Sequence, residues 1–284
     1  TEGAVVVVAL HDAERGAQTD HRLVPAASGH VAERGGARAA ELLHGLGFGG
    51  DQLDSPVRSF SGGWRMRLNL AQALLCRSDL LLLDEPLSAL DAKLREQMQI
   101  ELINLQKEVG ITFVYVTHDQ GEALALSHRI AVMNKGNVEQ LDIPEKIYGF
   151  PKNRFVADFI GQCNLLDGTI VEVGQDRMKV EIAGVGIAET LPAEGAKVGA
   201  KGTLALRPEK IKISASLPAD VPNEVHFRGT VHDCLYLGDV TIYMVELENG
   251  LLLETMLPNS ASGQARFFND NDTVEIAWRF DAGH

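Results

Sequence analysis

An unbroken run of four leucines that ends in two acids constrains the fold of this chain more than any other feature. Leu80–Leu83 lead directly into Asp84 and Glu85, and a continuous apolar run of this length is typical of a strand buried in a parallel sheet. The segment 91–109 has helical periodicity, and Ile111–Val116 is a second apolar strand. Strand, helix and strand in this order predict an α/β domain with a largely parallel sheet.

The two acids and a later histidine are candidate site residues, because the carboxyl ends of parallel strands form the binding edge of such sheets. In phosphoryl-transfer enzymes an acid in this position holds Mg²⁺, usually through water, and Asp84 is the candidate. The next carboxylate, Glu85, could orient or deprotonate the attacking water. His118 follows the second strand, where it could contact a phosphate or polarise that water. The alternative is a pair of solvated loop acids and a structural histidine.

A glycine pair at the start of a predicted helix is a second candidate. Ser61, Gly62 and Gly63 precede a helix expected to run to about Arg77, and Ser61 has the N-cap position. Exposed backbone N–H groups, a hydroxyl and the helix dipole together favour an anion such as a phosphate. An ordinary N-cap followed by two loop glycines is the alternative. Asp91 has the same ambiguity: it caps the helix at 91–109, and it could also face a dimer interface.

Composition and periodicity divide the whole chain into three segments. Residues 1–37 have no clear helical or strand periodicity, so they stay unassigned and are expected to be poorly ordered; scattered histidines and acids there (His11, Asp12, Asp20, His21) are not expected to bind metal. Residues 38–160 form the predicted α/β domain. Residues 161–284 contain short β-rich runs separated by Gly, Pro and Asp, which predict a small OB-like barrel.

Charge and cysteine content exclude several functions. The net charge is −13, and residues 161–284 contain 18 acidic and 10 basic residues, so nucleic acid is not the expected partner. Three widely separated cysteines (Cys76, Cys163, Cys234) suit reduced thiols better than a disulfide framework or a zinc site. The apolar stretch Ala4–Leu10 is too short to span a bilayer.

A phosphate-binding loop is missing from the sequence. No G-x-x-x-x-G-K-[ST] string occurs, and the nearest candidate, at 195–202, has the wrong spacing and no Ser or Thr after Lys201. A nucleotide would therefore lack the backbone nest and the lysine that usually hold its β- and γ-phosphates.

Several strings resemble the ATP-binding subunits of bacterial ABC importers, closest to the spermidine/putrescine (polyamine) type. The resemblance covers 84–160 and rests on the strings at 87–95, 110–120 and 147–161. The predicted barrel resembles the regulatory TOBE domain of that family, through Leu206–Ile211 and Leu235–Asp239. The implied fold is a partial ABC-ATPase (P-loop NTPase) domain followed by an all-β OB-like domain.

Residues 38–86 resemble a different group, the ABC-F translation factors. Phe60–Leu74 reads F-S-G-G-W-R-M-R-L-N-L-A-Q-A-L, where importers usually have L-S-G-G-Q. The string Leu82–Pro86 is shared by both families, so the sequence suggests a chimera, or a misjoined reading frame, joined at that motif.

The importer resemblance implies a set of cofactors and partners. ATP and Mg²⁺ would be bound, with Asp84 as the metal ligand, Glu85 and His118 as catalytic residues, and Ser61–Gly63 and Asp91 facing nucleotide or partner across a dimer. Transmembrane permease subunits, a second ATPase subunit and, indirectly, a solute-binding protein are the implied partners, at the cytoplasmic face of the membrane. An ABC-F-like ATPase fragment and a non-catalytic regulatory module remain the alternatives.

Overall fold

A five-stranded sheet organises the first part of the chain. The computed structural model describes residues 5–11, 43–44, 46–53, 55–75, 79–88, 90–183, 185–218, 221–259 and 268–284, which divide into two units, 1–147 and 148–284. The strands of the first unit are β1 (Val5–His11), β2 (Leu80–Asp84), β3 (Thr112–Thr117), β4 (Arg129–Asn134) and β5 (Asn137–Asp142). Their order is β2-β3-β1-β4-β5, and only the β4–β5 pair is antiparallel. The predicted, largely parallel α/β sheet is confirmed.

The helices begin and end where local signals place them. The described helices are α1 (Gly50–Leu53), α2 (Gly62–Leu75), α3 (Ala92–Val109), α4 (Gln120–Leu126), α5 (Pro144–Gly149) and α6 (Arg154–Phe159). Asp91 caps α3 by accepting from the Leu94 N–H, and Gly110 ends that helix in the left-handed conformation that glycine adopts without strain. Asp119 caps α4 in the same way, through the Glu122 N–H. Among the described residues, no helix is both long enough and apolar enough to cross a bilayer.

Two expectations about strands are wrong in part. The sequence leaves residues 1–37 without structure, whereas Val5–His11 form β1, between β3 and β4; the rest of that range, including Asp12, Asp20 and His21, lies outside the described residues. The sequence also predicts that β2 is buried. In the structure Leu80 is 54% and Leu82 is 63% exposed, whereas Leu81 between them is buried, because alternate side chains of a strand point to opposite faces and one face of β2 is open to solvent.

The second unit consists of two antiparallel sheets around one core. One sheet has the order β8-β7-β6-β9 and the other β10-β14-β11-β12-β13. Large buried side chains from both sheets share this core, among them Trp278, Tyr243 and Leu206. The strands are β6 (Asn164–Val173), β7 (Met178–Ile182), β8 (Gly186–Thr190), β9 (Lys201–Leu206), β10 (Lys212–Ser214), β11 (Glu224–Tyr236), β12 (Val240–Leu247), β13 (Leu252–Pro258) and β14 (Thr273–Arg279).

The second unit begins at Tyr148, earlier than the predicted boundary between 160 and 161. The buried Arg207 explains the difference, because its guanidinium donates to the carbonyl oxygens of Tyr148, Ala157 and Gln162 at 2.9–3.2 Å. It also lies 4.2 Å from the centre of the Tyr148 ring. Arg207, the Tyr148 hydroxyl that donates to Glu209 and the Arg154–Asp167 pair together join the segment 148–162 to the β-rich unit.

Candidate functional site

Glu85 and His118 are brought together at the carboxyl ends of two neighbouring strands. Asp84 is paired with Val116 in the β2–β3 register, and the Glu85 N–H donates to the Val116 carbonyl at 2.8 Å. The Glu85 carboxylate then lies 2.9 Å from His118 Nδ1. These two predicted catalytic residues are 33 positions apart in sequence, and the parallel register joins them.

Both side chains remain accessible from solvent. The His118 side chain is 67% exposed and that of Glu85 is 32% exposed. They border a small cavity of about 90 Å³, lined by Glu85, Ser88, Arg95, Thr117, His118, Asp119 and Glu122. Glu85 adopts a left-handed conformation with φ of 42°, which is uncommon for a residue with a side chain and recurs at functional sites.

The buried carboxylate of Glu122 forms hydrogen bonds with two side chains of β3, the strand that leads to His118. Glu122, 3% exposed, accepts hydrogen bonds from the hydroxyl groups of Tyr115 and Thr117, both at 2.9 Å. Burial and the neighbouring Glu122 carboxylate raise the pKa of Tyr115 far above its usual value, so its hydroxyl remains a donor. The Arg95 guanidinium lies 3.4 Å from the Asp119 carboxylate and 3.6 Å from the Glu122 carboxylate.

The Ser61–Gly63 segment is a separate candidate. The Ser61 carbonyl accepts the first hydrogen bond of α2, from the Arg65 N–H at 3.0 Å. Ser61 and Gly62 are exposed and Gly63 is buried. None of the three is among the described residues that line the Glu85–His118 cavity. Ser61–Gly63 as an anion site stays a prediction, at a place distinct from the Glu85–His118 pair.

Asp84 and Asp91 are both exposed. The cap function of Asp91 is established by its 3.0 Å hydrogen bond to the Leu94 N–H, and its role at an interface stays a prediction. Within the described ranges, no group of three or more His, Cys, Asp or Glu side chains could hold a metal ion. A single carboxylate at a strand end suits Mg²⁺, which keeps several waters and takes other ligands from phosphate oxygens. Asp84 therefore fits such an ion only together with a nucleotide.

Sequence reasoning missed Arg95 and Glu122 as parts of the site. Each stands in the first turn of a helix that follows a strand end, four residues after Asp91 and three after Asp119. That spacing was the available signal, because a side chain in the first turn of such a helix can reach back to the strand edge. The signal was not used, because a helix cap was sufficient to explain the two aspartates.

Gly63 gives a testable packing prediction. A Cβ atom on Gly63 would lie 2.9 Å from Leu94 Cδ1, whereas one on Gly62 would lie 3.4 Å from Leu90 Cδ2, an ordinary contact. We expect Gly63→Val to lower the free energy of unfolding by about 1–2 kcal/mol through overpacking, and Gly62→Ala to change it by less than about 0.5 kcal/mol. Urea unfolding followed by far-ultraviolet circular dichroism measures both. In a Leu94→Ala background, Gly63→Val should lower the free energy of unfolding by less than it does in the unsubstituted chain; an equal loss in both backgrounds would contradict the packing explanation.

The fold and these motifs define an ABC-type ATP-binding domain followed by a TOBE domain. Residues 9–88 match the family described as ABC transporter, and residues 204–284 match the TOBE domain family. The resemblance to ABC importer ATP-binding subunits with a TOBE domain and the predicted fold class are thereby confirmed.

Several relatives of this chain are polyamine import proteins. It is 66% identical over 230 residues to the spermidine/putrescine import ATP-binding protein PotA of Chromobacterium violaceum, covering 81% of this chain and 63% of that protein. It is also 66% identical over 224 residues to PotA of Pseudomonas aeruginosa, covering 79% and 61%. The chain thus spans less than two thirds of the length of these relatives. Among solved structures, cbiO1 of Clostridium perfringens, part of an ABC transporter complex, aligns with a TM-score of 0.37 and 29% identity over 39% of this chain and 43% of that one.

The alignment with PotA of Chromobacterium violaceum bears on the chimera hypothesis. It covers 230 of the chain's 284 residues, so at most 54 residues are left outside it. Residues 55–230 therefore lie inside the alignment wherever it begins. A single alignment with one importer protein crosses both the Ser61–Gly63 segment and the supposed joint at Pro86.

Proposed function

We propose that this chain supplies part of the ATP-binding subunit of an ABC importer that takes up polyamines such as spermidine and putrescine. The observation that carries the proposal is the Glu85–His118 pair, 2.9 Å apart at the edge of a parallel sheet, in a chain 66% identical to polyamine import ATP-binding proteins. The energy of ATP hydrolysis would drive uptake through separate membrane subunits.

Each candidate residue has a role in this proposal. Glu85 orients the attacking water or accepts its proton, and His118 holds the Glu85 carboxylate and polarises the water or the terminal phosphate. Asp84 would be a ligand of Mg²⁺, which would neutralise developing charge on the phosphates. Ser61–Gly63 would present N–H groups to a nucleotide held by a second subunit, with Asp91 near the same interface.

The partners follow from the same proposal. They are a second ATPase subunit, transmembrane permease subunits and, indirectly, a solute-binding protein, so the chain would act as a peripheral subunit at the cytoplasmic face of the membrane. Copurification of the tagged chain with permease subunits supports this function. Copurification with ribosomes instead would favour the ABC-F alternative and contradict the importer proposal.

ATP binding by the isolated chain is expected to be weak or undetectable. Asp84, Glu85 and His118 act on phosphates, but the sequence has no glycine-rich loop and lysine to hold them. Titration of ATP with Mg²⁺ into the chain by isothermal calorimetry should show no saturable heat at micromolar concentrations. Saturable micromolar binding would overturn this expectation. Loss of that binding in Asp84→Asn would then locate the site at the carboxyl end of β2.

A further inference from the structure

The turn that carries His118 is fixed by a closed ring of hydrogen bonds. Glu122 accepts from the Thr117 hydroxyl at 2.9 Å, and the same Thr117 oxygen accepts the Asp119 N–H at 3.0 Å. The Asp119 carboxylate closes the ring by accepting the Glu122 N–H at 2.9 Å. Both neighbours of His118 are thus joined to Glu122, Thr117 through the buried carboxylate and Asp119 through the backbone N–H, while the imidazole itself is mostly exposed.

Arg95 extends this ring to the beginning of α3. Its Nη1 lies 3.4 Å from Asp119 Oδ2, and its Nη2 donates to the Leu90 carbonyl at 3.1 Å. The Arg95 N–H also donates to the Asp91 carbonyl at 2.8 Å. One side chain thus connects the Leu90–Asp91 turn with the two carboxylates that hold the His118 turn.

The Arg95 guanidinium is not fully satisfied in this arrangement. Its Nε is buried without a hydrogen-bond partner and lies 3.6 Å from Glu122 Oε1, just beyond hydrogen-bond distance. A buried donor without a partner is costly. The contact between Arg95 and Glu122 is therefore an ion pair, and Nε makes no hydrogen bond to the Glu122 carboxylate.

We propose that Arg95 and Glu122 are positioning residues that couple the Leu90–Asp91 turn to the orientation of His118 against Glu85. Asp91 is exposed, so whatever contacts this turn acts through Arg95 on the His118 turn. Between Glu85 and this turn, the Ser88 hydroxyl donates to the Glu85 carbonyl at 2.9 Å. The inference rests on the proposed function only for what His118 does; the coupling itself is a property of the chain.

Nuclear magnetic resonance of the isotope-labelled full chain at fixed pH tests this coupling without nucleotide. The probes are the ¹⁵N shift of His118 Nδ1, which reports its contact with Glu85, and hydrogen exchange of the Asp119 amide. In Arg95→Lys and Glu122→Gln we expect the His118 signal to move toward that of an unpaired histidine, and the Asp119 amide to exchange about tenfold faster. A merely structural contribution of these side chains would not change the His118 signal in a folded variant.

Matched controls come from the ion pair between Arg67 and Glu101, 3.0 Å apart and with Glu101 on the same helix as Arg95. Arg67→Lys and Glu101→Gln should leave both probes unchanged. If Glu122→Gln does not fold, Thr117→Val removes the shared hydroxyl with little change of shape and should have the same effect. Unchanged His118 and Asp119 signals in folded Arg95→Lys or Thr117→Val overturn the proposal. Because no nucleotide is present, this result is independent of the ATP-binding experiment.

Discussion

Gly62→Asp is expected to lower ATP turnover about 100-fold in a mixed dimer in which this chain supplies the only functional Ser-Gly-Gly segment, Ser61–Gly63. The partner would be a complete ABC subunit that has its own phosphate loop and in which the glycine equivalent to Gly62 is replaced by aspartate, so that its homodimers are inactive. A negative side chain at the start of α2 repels the phosphates that the exposed N–H groups and helix dipole attract. Loss of such preorganised donors typically costs about 10²–10³ in rate. Steady-state phosphate release, measured with purified mixed dimers, gives the result.

Glu85→Gln in this chain is the matched control for that experiment. Glu85 stands at the edge of its own sheet, where no phosphate loop occurs in the sequence, so it should not affect hydrolysis at the site that uses Ser61–Gly63. The Gly62 variant should fold, because the added Cβ would meet only an ordinary contact with Leu90. Mixed dimers that are inactive before any substitution, or a loss caused by Glu85→Gln and not by Gly62→Asp, would contradict the proposed role of the segment.

Most elements of the first unit could be predicted because their signals are local. Asp91 and Asp119 mark helix starts with their side chains, and Gly110 marks a helix end, so α3 and α4 follow from a few residues each. The hairpin of β4 and β5 likewise follows from Lys135 and Gly136, which both adopt positive φ in its turn.

Features that depend on distant partners could not be predicted in this way. The strand β1 pairs with residues more than a hundred positions away, Phe113–Thr117 and Arg129–Asn134, and its own short valine run gives only a weak signal. Local hydrophobicity equally could not show that β2 pairs with a single strand among the described residues, or that its face with Leu80 and Leu82 is exposed.

In the candidate site, too, the residues with local signals were predicted and those that depend on distant partners were not. Glu85 and His118 were predicted from strand ends and from resemblance, because a parallel sheet brings strand ends to one edge. Their supports were not predicted, since Arg95 acts on Asp119 and Glu122 from 24 and 27 positions away in the sequence. A local pattern identifies which residue lies at the carboxyl end of a strand, but only the fold shows which other residues fix its position.

Arg207→Met is expected to destabilise the 148–284 unit by about 3–5 kcal/mol. The guanidinium of Arg207, 3% exposed, makes four hydrogen bonds to the carbonyls of Tyr148, Ala157 and Gln162. Methionine would fill much of its volume but leave these acceptors without a donor, and each such loss costs about 1–3 kcal/mol when the group stays buried. Burial and a hydrogen bond to Glu209 raise the pKa of Tyr148 to about 12, so its hydroxyl still donates to Glu209 and cannot replace the lost contacts.

Tryptophan fluorescence separates this effect from changes elsewhere in the chain. The sequence has two tryptophans, Trp64 in the first unit and the fully buried Trp278 in the second, so urea unfolding in a Trp64→Phe background follows the second unit alone. Arg154→Met is the matched control, because it removes an exposed arginine that pairs with Asp167 in the same unit, and exposed ion pairs contribute less than about 1 kcal/mol. Arg207→Lys should be nearly as destabilising as Arg207→Met, because an ammonium group cannot reach three carbonyls arranged for a planar fork. Equal unfolding midpoints for Arg207→Met and Arg154→Met would show that the segment 148–162 is held by its other contacts and not by the buried guanidinium.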